Sequence, residues 1–308
     1  MLTAIVLLSI GGCAPAKKQT LTIFQAGSLS LPFKEMSAAF QKKHPDVEVL
    51  RESSGSRTAA RKINELNKKA DIMGSADYTV ITSLLMPKHT DFYLKFATNE
   101  MVIMYTEHSK YNDEINSENW PQILLRKGVN YGHSDPNADP CGYRSQLVWQ
   151  LAEKHYKKTS LYKQLKKQCP AKNVRPKETD LLALLEAGEL DYLFIYRSVA
   201  KQHHGQYVVL PDQVNLRSAT YTDFYKQAKI KISGKKPGQW ITKTGQPMVY
   251  GITAIKDAEN YDLALKFIKF LISPEGQKIM AQNGQPSIIP AKGYGNVPKL
   301  LSEYVKRG

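Results

Sequence analysis

The chain has 308 residues, of which 42% are hydrophobic and 23% are charged. This length and composition predict about two globular domains and exclude a disordered chain. The net charge of +15 is a feature of proteins that bind nucleic acid, anionic lipid or small anions. The lysine pairs of the sequence are short and scattered, and there is no arginine-rich tract, zinc pattern or aromatic stacking motif. We therefore expect no nucleic-acid partner.

The N-terminal segment 1–13 predicts a secretory signal rather than a membrane span, because its apolar run is too short to cross a bilayer. Small residues precede Cys13, in an order that resembles a bacterial lipobox, although the usual positive residues at the start are missing. We expect Cys13 to be lipidated, which would tether an extracytoplasmic or periplasmic protein to a membrane.

The first part of the mature chain predicts strands that alternate with helices. Strand patterns at 20–23 and 47–49, and a strand followed by a turn at 71–78, enclose two predicted helices. The first has Pro32 near its start and Phe33, Met36 and Phe40 on its apolar face, and the second has Ala59, Ile63 and Leu66 at helical spacing. This β-α-β-α-β order predicts a parallel sheet, whose ligands bind at the carboxyl ends of the strands.

Two long apolar runs, 96–106 and 248–255, read as extended strands that connect two α/β lobes. We assign residues 20–104 and 247–308 to lobe 1 and residues 105–246 to lobe 2. We expect each lobe to have a mixed, mostly parallel sheet flanked by helices.

Four short segments rich in serine or glycine follow strand patterns, and three of them precede a predicted helix. A helix start offers unpaired backbone N–H groups and the positive end of a dipole, which together favour anions. If these segments converge, they would form a pocket for a tetrahedral oxyanion. The segments are Ala26–Ser30, Ser53–Ser56, Asp139–Arg144 and Ile195–Ser198.

The same stretches resemble the periplasmic molybdate/tungstate-binding proteins of ABC importers, most closely the tungstate-binding branch common in archaea. Asp-Pro-Cys-Gly-Tyr-Arg at 139–144 is the most diagnostic motif, whereas Ser-Pro-Glu-Gly-Gln at 273–277 also occurs in many other extracellular solute-binding proteins. The resemblance covers nearly all of the mature chain. It implies a two-lobe clamp with tungstate or molybdate in the cleft, delivery to an ABC permease and its ATPase, no cofactor and a monomeric state.

The resemblance also implies which residues hold the anion, through serine and tyrosine hydroxyls and backbone N–H groups. We expect the glycines to allow a close approach of the backbone and Glu178 to offer its backbone N–H. The implied oxyanion-binding residues are Gly27, Ser28, Ser54, Gly55, Ser56, Asp139, Cys141, Gly142, Glu178 and Tyr196.

One position departs from the archaeal pattern, in which an Asp and a Glu complete an octahedral metal centre. Asp139 is present, but Ile195 occupies the position assigned to the Glu and cannot bind a metal. We therefore expect a tetrahedral, hydrogen-bonded ligand. A lone Asp139 would repel a dianion, so we expect it to cap the next helix or to pair with a basic residue such as Arg144.

Two alternatives remain open. The chain could bind another anion, such as sulfate, phosphate or a sulfonate, or it could be a phosphate-ester hydrolase with Ser28 or Ser56 as nucleophile. The enzyme is disfavoured because no histidine is adjacent in sequence to either serine and the seven histidines form no metal-binding pattern. His133, near the Asp-Pro motif, is the histidine to check. Cys141 and Cys169 could pair in an oxidising compartment, although free thiols are favoured.

Overall fold

The computed structural model describes residues 18–308, in which two large sheets are each flanked by helices and a third sheet is a two-stranded hairpin. This confirms the predicted α/β class. The strands are β1 (Gln19–Ala26), β2 (Val47–Ser54), β3 (Ile72–Ser75), β4 (Phe92–Thr98), β5 (Met101–Tyr105), β6 (Tyr131–Ser134), β7 (Val174–Arg175), β8 (Tyr192–Tyr196), β9 (Gln206–Val209), β10 (Lys229–Ser233), β11 (Trp240–Thr244), β12 (Val249–Ala254), β13 (Ser287–Gly295) and β14 (Val305–Arg307).

The α-helices lie between these strands, and several short 3-10 turns accompany them. The helices are α1 (Ser30–Lys43), α2 (Ser56–Asn64), α3 (Tyr78–Val80), α4 (Trp120–Leu124), α5 (Pro140–His155), α6 (Leu161–Gln168), α7 (Leu182–Glu186), α8 (Arg197–Gln202), α9 (Thr222–Tyr225), α10 (Tyr261–Ile272) and α11 (Pro274–Gln282). Within the described residues, the structure has no helix of the length and apolarity that crossing a membrane requires.

Lobe 1 is built on a seven-stranded sheet in the order β14-β13-β4-β12-β3-β1-β2. Its first three strands run parallel, as the β-α-β-α-β pattern predicts. Side chains alternate between the faces of β1: Ile23 packs in the core that contains Phe33 of α1, whereas Phe24 packs in the core that contains Ile63 of α2. The sheet is thus covered on both faces, as a buried parallel sheet requires.

Lobe 2 is built on a five-stranded sheet in the order β7-β6-β8-β5-β9, against which α5 packs. The expectation of mostly parallel sheets is wrong, because antiparallel pairings are as common as parallel ones in the two sheets. The reason is that the chain crosses between lobes. Strands β5 and β12 adjoin these crossings and run against their neighbours.

The run 96–106, predicted as one strand, is two strands in different sheets. Strand β4 ends at Thr98 in lobe 1, and β5 begins at Met101 in lobe 2. Asn99 and Glu100 between them are buried: the Asn99 amide donates to Ser198 Oγ at 2.7 Å, and the Glu100 carboxylate pairs with Arg197 at 2.7 Å. These bonds fix the first crossing, so we place the boundary of lobe 1 here instead of at residue 104.

A separate hairpin, β10–β11, extends from lobe 2 toward lobe 1. Its strand β10 packs on α5, while the Ser233 hydroxyl accepts from Arg61 of α2 at 2.7 Å. The carbonyl oxygen of Ser233 also accepts a hydrogen bond from Arg57, which is fully buried. The two lobes are therefore in contact in this structure, and the cleft between them is closed.

Candidate anion-binding cleft

Gly27 and Ser28 lie at the carboxyl end of β1, in a 3-10 turn that leads into α1. Ser28 is fully buried, and its Oγ accepts a hydrogen bond from the Tyr250 hydroxyl at 2.9 Å. Its backbone carbonyl accepts from the side-chain amide of Gln285 at 2.7 Å. The first predicted serine is therefore held rigidly by residues of the C-terminal part of lobe 1.

The second serine segment connects β2 to α2. Ser56 is fully buried, and its Oγ accepts from the backbone N–H of Ala76 at 3.0 Å. Ser54 Oγ is buried and has no hydrogen-bond partner among residues 18–308. An unpartnered buried hydroxyl costs free energy unless something else satisfies it, which fits a group that binds a polar ligand.

Gly55 lies where the two lobes touch. A Cβ at this position would be 2.5 Å from the carbonyl oxygen of Ala138 and 2.9 Å from that of Pro176, both in lobe 2. The backbone N–H groups of Arg57 and Thr58 both donate to the Ala138 oxygen at 3.1 Å. The close approach of the lobes thus depends on the absence of a side chain at Gly55.

Asp139 is the N-cap of α5, which confirms the capping role that the sequence suggested. One carboxylate oxygen accepts from the Cys141 backbone N–H at 3.3 Å, and the other accepts from the Glu178 backbone N–H at 3.1 Å. Both N–H groups are donors that the resemblance assigned to the anion. The alternative pairing with Arg144 does not occur, because that arginine pairs with Asp77.

Cys141 and Gly142 form the first turn of α5. The Cys141 thiol is fully buried and donates to the carbonyl oxygen of Phe194 at 3.6 Å. A Cβ at Gly142 would overlap the backbone carbonyl of Ser134 at the end of β6. Glycine is therefore required here so that α5 can start directly against the strand.

Glu178 contributes a carboxyl group as well as a backbone N–H. Its two side-chain oxygens lie 2.8 Å from the place of a Cβ on Gly27, so the group faces lobe 1 across the cleft. Neither oxygen has a hydrogen-bond partner in the described part of the chain. Burial, followed by the negative charge of Asp139, raises the pKa of Glu178 well above its ordinary value, and burial also raises the pKa of Asp139.

The premise of a lone carboxylate at the site therefore does not hold. Ile195 is a core residue of β8, fully buried and paired with Val102, and it contributes no polar group. The second carboxyl comes from Glu178 instead, at the start of a 3-10 turn that precedes α7. Sequence reasoning missed it because a glutamate before a short helix has no local signal of a contact with Gly27.

Tyr196 ends strand β8 and is fully buried. Its hydroxyl accepts a hydrogen bond from Arg144 Nη1 at 2.9 Å. Burial raises the pKa of Tyr196 well above its ordinary value, so the phenol keeps its proton. A tyrosine hydroxyl that accepts from an arginine retains its own hydrogen for donation.

Three polar residues that the site prediction did not include support the cleft. Asn99 donates to the Tyr250 hydroxyl at 2.9 Å, and Tyr250 in turn donates to Ser28, which links the crossing between the lobes to the first serine. Gln285 holds the Ser28 carbonyl. Asn99 belongs to a stretch that carried the resemblance, but Tyr250 and Gln285 lie in strand and loop patterns without a polar motif.

Several charged or reactive side chains near the cleft are engaged elsewhere. Arg61 binds the hairpin, and Arg197 binds Glu100. His133 is buried against the Ser134 carbonyl, and burial lowers its pKa to about 4. Cys141 and Cys169 are free thiols, so the suggested disulfide is absent. Cys13 lies outside the described residues.

Taken together, the cleft joins buried hydroxyls of Ser28, Ser56 and Tyr196 with a carboxyl pair at the ends of parallel strands. Among the described residues there is no group of three or more His, Cys, Asp or Glu side chains that could hold a metal ion. A buried site with hydroxyl donors at the starts of helices suits a small anion.

Comparison with known proteins shows the family of this chain. The family described as bacterial extracellular solute-binding protein matches residues 21–285. A molybdate/tungstate-binding protein WtpA of Thermococcus kodakarensis is 42% identical, with 99% of this chain and 96% of that protein covered. A solute-binding protein of Petrotoga mobilis is 58% identical over 94% of this chain and 90% of its own length.

Among solved structures, the periplasmic molybdate-binding protein of Azotobacter vinelandii superposes with a TM-score of 0.57 at 15% identity. The superposition covers 86% of this chain and 98% of that one. The sulfate-binding protein SubI of Mycobacterium tuberculosis superposes with a TM-score of 0.59 at 13% identity, covering 92% and 90%. At these identities the likeness establishes the two-lobe fold and not the ligand.

Proposed function

The chain belongs to the bacterial extracellular solute-binding protein family, and on that premise we propose that it binds tungstate or molybdate for an ABC importer. It would deliver the anion to a permease and its ATPase, as a monomer tethered through a lipid at Cys13. The observation that carries this proposal is that donors from two lobes meet in one fully buried cleft, next to a carboxyl pair.

Ser28 and Ser56 would hold the anion from lobe 1, and Tyr196 would hold it from lobe 2. We assign Ser54 and the backbone at Gly27 and Gly55 to the same cradle. The N–H groups of Cys141 and Glu178, which the resemblance assigned to the anion, donate to Asp139 instead, and Gly142 lets that segment approach. Fixed donors of this kind match an oxyanion by size, which favours molybdate or tungstate over the smaller sulfate.

The carboxyl pair of Asp139 and Glu178 favours an expanded coordination of the metal atom in the bound oxyanion. In the resemblance, an Asp and a Glu complete an octahedral metal, and Asp139 with Glu178 supplies two carboxyl groups at one place. We therefore replace the tetrahedral expectation with expanded coordination of the bound metal by this pair. X-ray absorption at the tungsten edge should give about six oxygen neighbours in the wild type and fewer in Glu178→Gln; four in both proteins would restore the tetrahedral geometry.

Calorimetric titration with tungstate, molybdate, sulfate and phosphate tests the ligand. We expect one-to-one binding of tungstate and molybdate and no heat from the other two anions. Ser28→Ala should weaken binding about 10- to 100-fold, because a hydrogen bond to a charged group contributes about 1.5–3 kcal/mol. Ser37→Ala is the matched control, since Ser37 is a buried serine of α1 that bonds only the Phe33 carbonyl of its own helix.

If only sulfate or phosphate gave binding heat, the fold assignment would stand, but the ligand would be that anion and not tungstate or molybdate. The hydrolase alternative receives no support from the serine contacts, because Ser28 Oγ bonds Tyr250 and Ser56 Oγ bonds the Ala76 backbone. Release of phosphate from a phosphate ester that Ser28→Ala abolishes, while anion binding survives, would overturn the transport proposal.

A further inference from the structure

Arg144, on the second turn of α5, lies between the two lobes and is only 3% exposed. Its Nη1 donates to the carbonyl oxygen of Ala76 in lobe 1 at 2.8 Å and to the Tyr196 hydroxyl in lobe 2 at 2.9 Å. Its Nη2 lies 3.9 Å from a carboxylate oxygen of Asp77, also in lobe 1. One guanidinium thus contacts both lobes at once.

The Ala76 contact leads directly to the opposite side of the cleft. The backbone N–H of Ala76 donates to Ser56 Oγ at 3.0 Å, while its carbonyl accepts from Arg144. A continuous path of hydrogen bonds therefore runs from Ser56 through Ala76 and Arg144 to Tyr196. Its two ends are the serine and tyrosine hydroxyls that we assign to the anion.

Asp77 anchors this path in lobe 1. It accepts a hydrogen bond from the Tyr143 hydroxyl, lies 3.4 Å from Lys243 of the hairpin, and caps α3 through the Thr79 N–H at 2.9 Å. Burial alone would raise the pKa of Asp77, but Lys243 and Arg144 hold it below its ordinary value. A buried arginine needs such a compensating charge, and lobe 1 supplies it only when the lobes are together.

The direction of each hydrogen bond determines what Arg144 can do. Because the Tyr196 oxygen accepts from a cationic donor, its own hydrogen is left to point elsewhere, and the phenol is polarised toward stronger donation. If lobe 1 moves away, Arg144 loses Ala76 and Asp77, and water competes for the guanidinium.

We infer that Arg144 is a positioning residue that couples closure of the two lobes to the aim of the Tyr196 hydroxyl at the anion. The inference rests on the proposed function, since it takes Tyr196 as a donor to the ligand. It goes further in stating that this donor becomes fully effective only in the closed protein. Arg144 therefore acts on ligand release more than on ligand capture.

The test is a double-mutant cycle between Arg144→Met and Tyr196→Phe, with affinities from calorimetry and release rates from a chase of radiolabelled tungstate. Each single variant should release tungstate at least about 10-fold faster, and the double variant should be little worse than either, because the two residues act as one unit. Arg144→Lys keeps the charge but not the two-pronged geometry, so it should recover only part of the loss.

Arg126→Met is the matched control. Arg126 is also an arginine of lobe 2 that contacts a tyrosine and a carboxylate, but its partners Tyr111 and Glu114 both lie in lobe 2 and not at the crossing between the lobes. It should change the release rate less than about 2-fold, and its effect should multiply with that of Tyr196→Phe. If Arg144 had a merely structural role, the effects of Arg144→Met and Tyr196→Phe on the release rate would also multiply in the double variant.

A second measurement needs no ligand. Spin labels on Leu66→Cys in lobe 1 and Thr159→Cys in lobe 2, both exposed positions, report the distance between lobes. Arg144→Met should widen or lengthen this distance distribution, and Arg126→Met should not. An unchanged distribution, or an unchanged release rate in Arg144→Met, would overturn the inference, whereas a wild type that binds neither anion would overturn the proposed function.

Discussion

At the scale of single residues, the most unusual group is the carboxyl of Glu178. It is buried beside Asp139, and the described residues provide no hydrogen bond to either of its oxygens. Burial and the neighbouring carboxylate both disfavour its ionised form. At neutral pH the folded protein therefore bears the cost either of ionising this buried carboxyl or of keeping it protonated.

This cost predicts a pH dependence. A folded-state pKa above the unfolded one gives stability that is complete below the ordinary glutamate range and is lost as the pH rises toward the folded-state pKa. Glu178→Gln should therefore stabilise the ligand-free protein at pH 8 by about 1–3 kcal/mol, the usual cost of an unsatisfied buried group, and much less at pH 4.

Urea unfolding at the two pH values measures this difference. Glu189→Gln makes the same chemical change on an exposed side chain of lobe 2 and should alter neither value. If the free energy of unfolding changed with pH equally in the wild type and Glu178→Gln, Glu178 would be ionised at little cost.

Residue-level prediction of local structure worked where a local signal existed. Ser28, Ser56 and Asp139 each lie next to a helix start, as the sequence pattern indicates, whereas the contact of the two serines with an anion stays a prediction. The sequence also suggested the cap at Asp139, because the following Pro140 marks the first turn of a helix. The approach of the Glu178 side chain to Gly27 could not be predicted, since it depends on how the two lobes meet.

At the scale of secondary-structure elements, the contact between the β2–α2 turn and the start of α5 decides how closely the lobes approach. Gly55→Ala would place a methyl group against the Ala138 and Pro176 carbonyls. We expect it to weaken anion binding at least about 10-fold while leaving thermal stability nearly unchanged, because the clash arises only in the closed state.

Gly245→Ala provides the contrast. A Cβ there would overlap the Tyr225 carbonyl within lobe 2, so this variant should lower the unfolding temperature and leave the affinity of the folded protein unchanged. Calorimetric titration with thermal unfolding of both variants separates the two effects. A Gly55→Ala protein with wild-type affinity would mean that the lobes need not come this close around the anion.

Element bounds were predictable where periodicity changes and not where it continues. Strand β3 was predicted within a few residues because turn residues interrupt the apolar pattern. The run 96–106 is apolar on both sides of Asn99 and Glu100, so it resembles one long strand. Only the hydrogen bonds of these two side chains reveal that the chain changes sheets there.

At the scale of the whole molecule, the predicted donors are all buried, so an anion can enter or leave only if the lobes separate. Ligand binding should therefore convert a more open ligand-free ensemble to the closed form. We expect saturating tungstate to decrease the radius of gyration in small-angle scattering and, at 100 times its dissociation constant, to add about 2.7 kcal/mol of stability.

Sulfate at the same ionic strength is the control for this experiment and should produce neither change. A radius of gyration that stays constant, together with tight calorimetric binding, would show that the protein is closed before the anion arrives. In that case exchange would depend on rare opening events, and release would be slow whatever the ligand concentration.

Cys141 and Cys169 carry a consequence for how the protein matures. Both thiols are free, and burial raises their pKa values, that of Cys169 to about 12. The fold between residues 18 and 308 therefore owes nothing to a disulfide, and it needs no oxidase or isomerase to form. Because burial disfavours the reactive thiolate form of both cysteines, we expect them to oxidise slowly in an oxidising environment outside the cell.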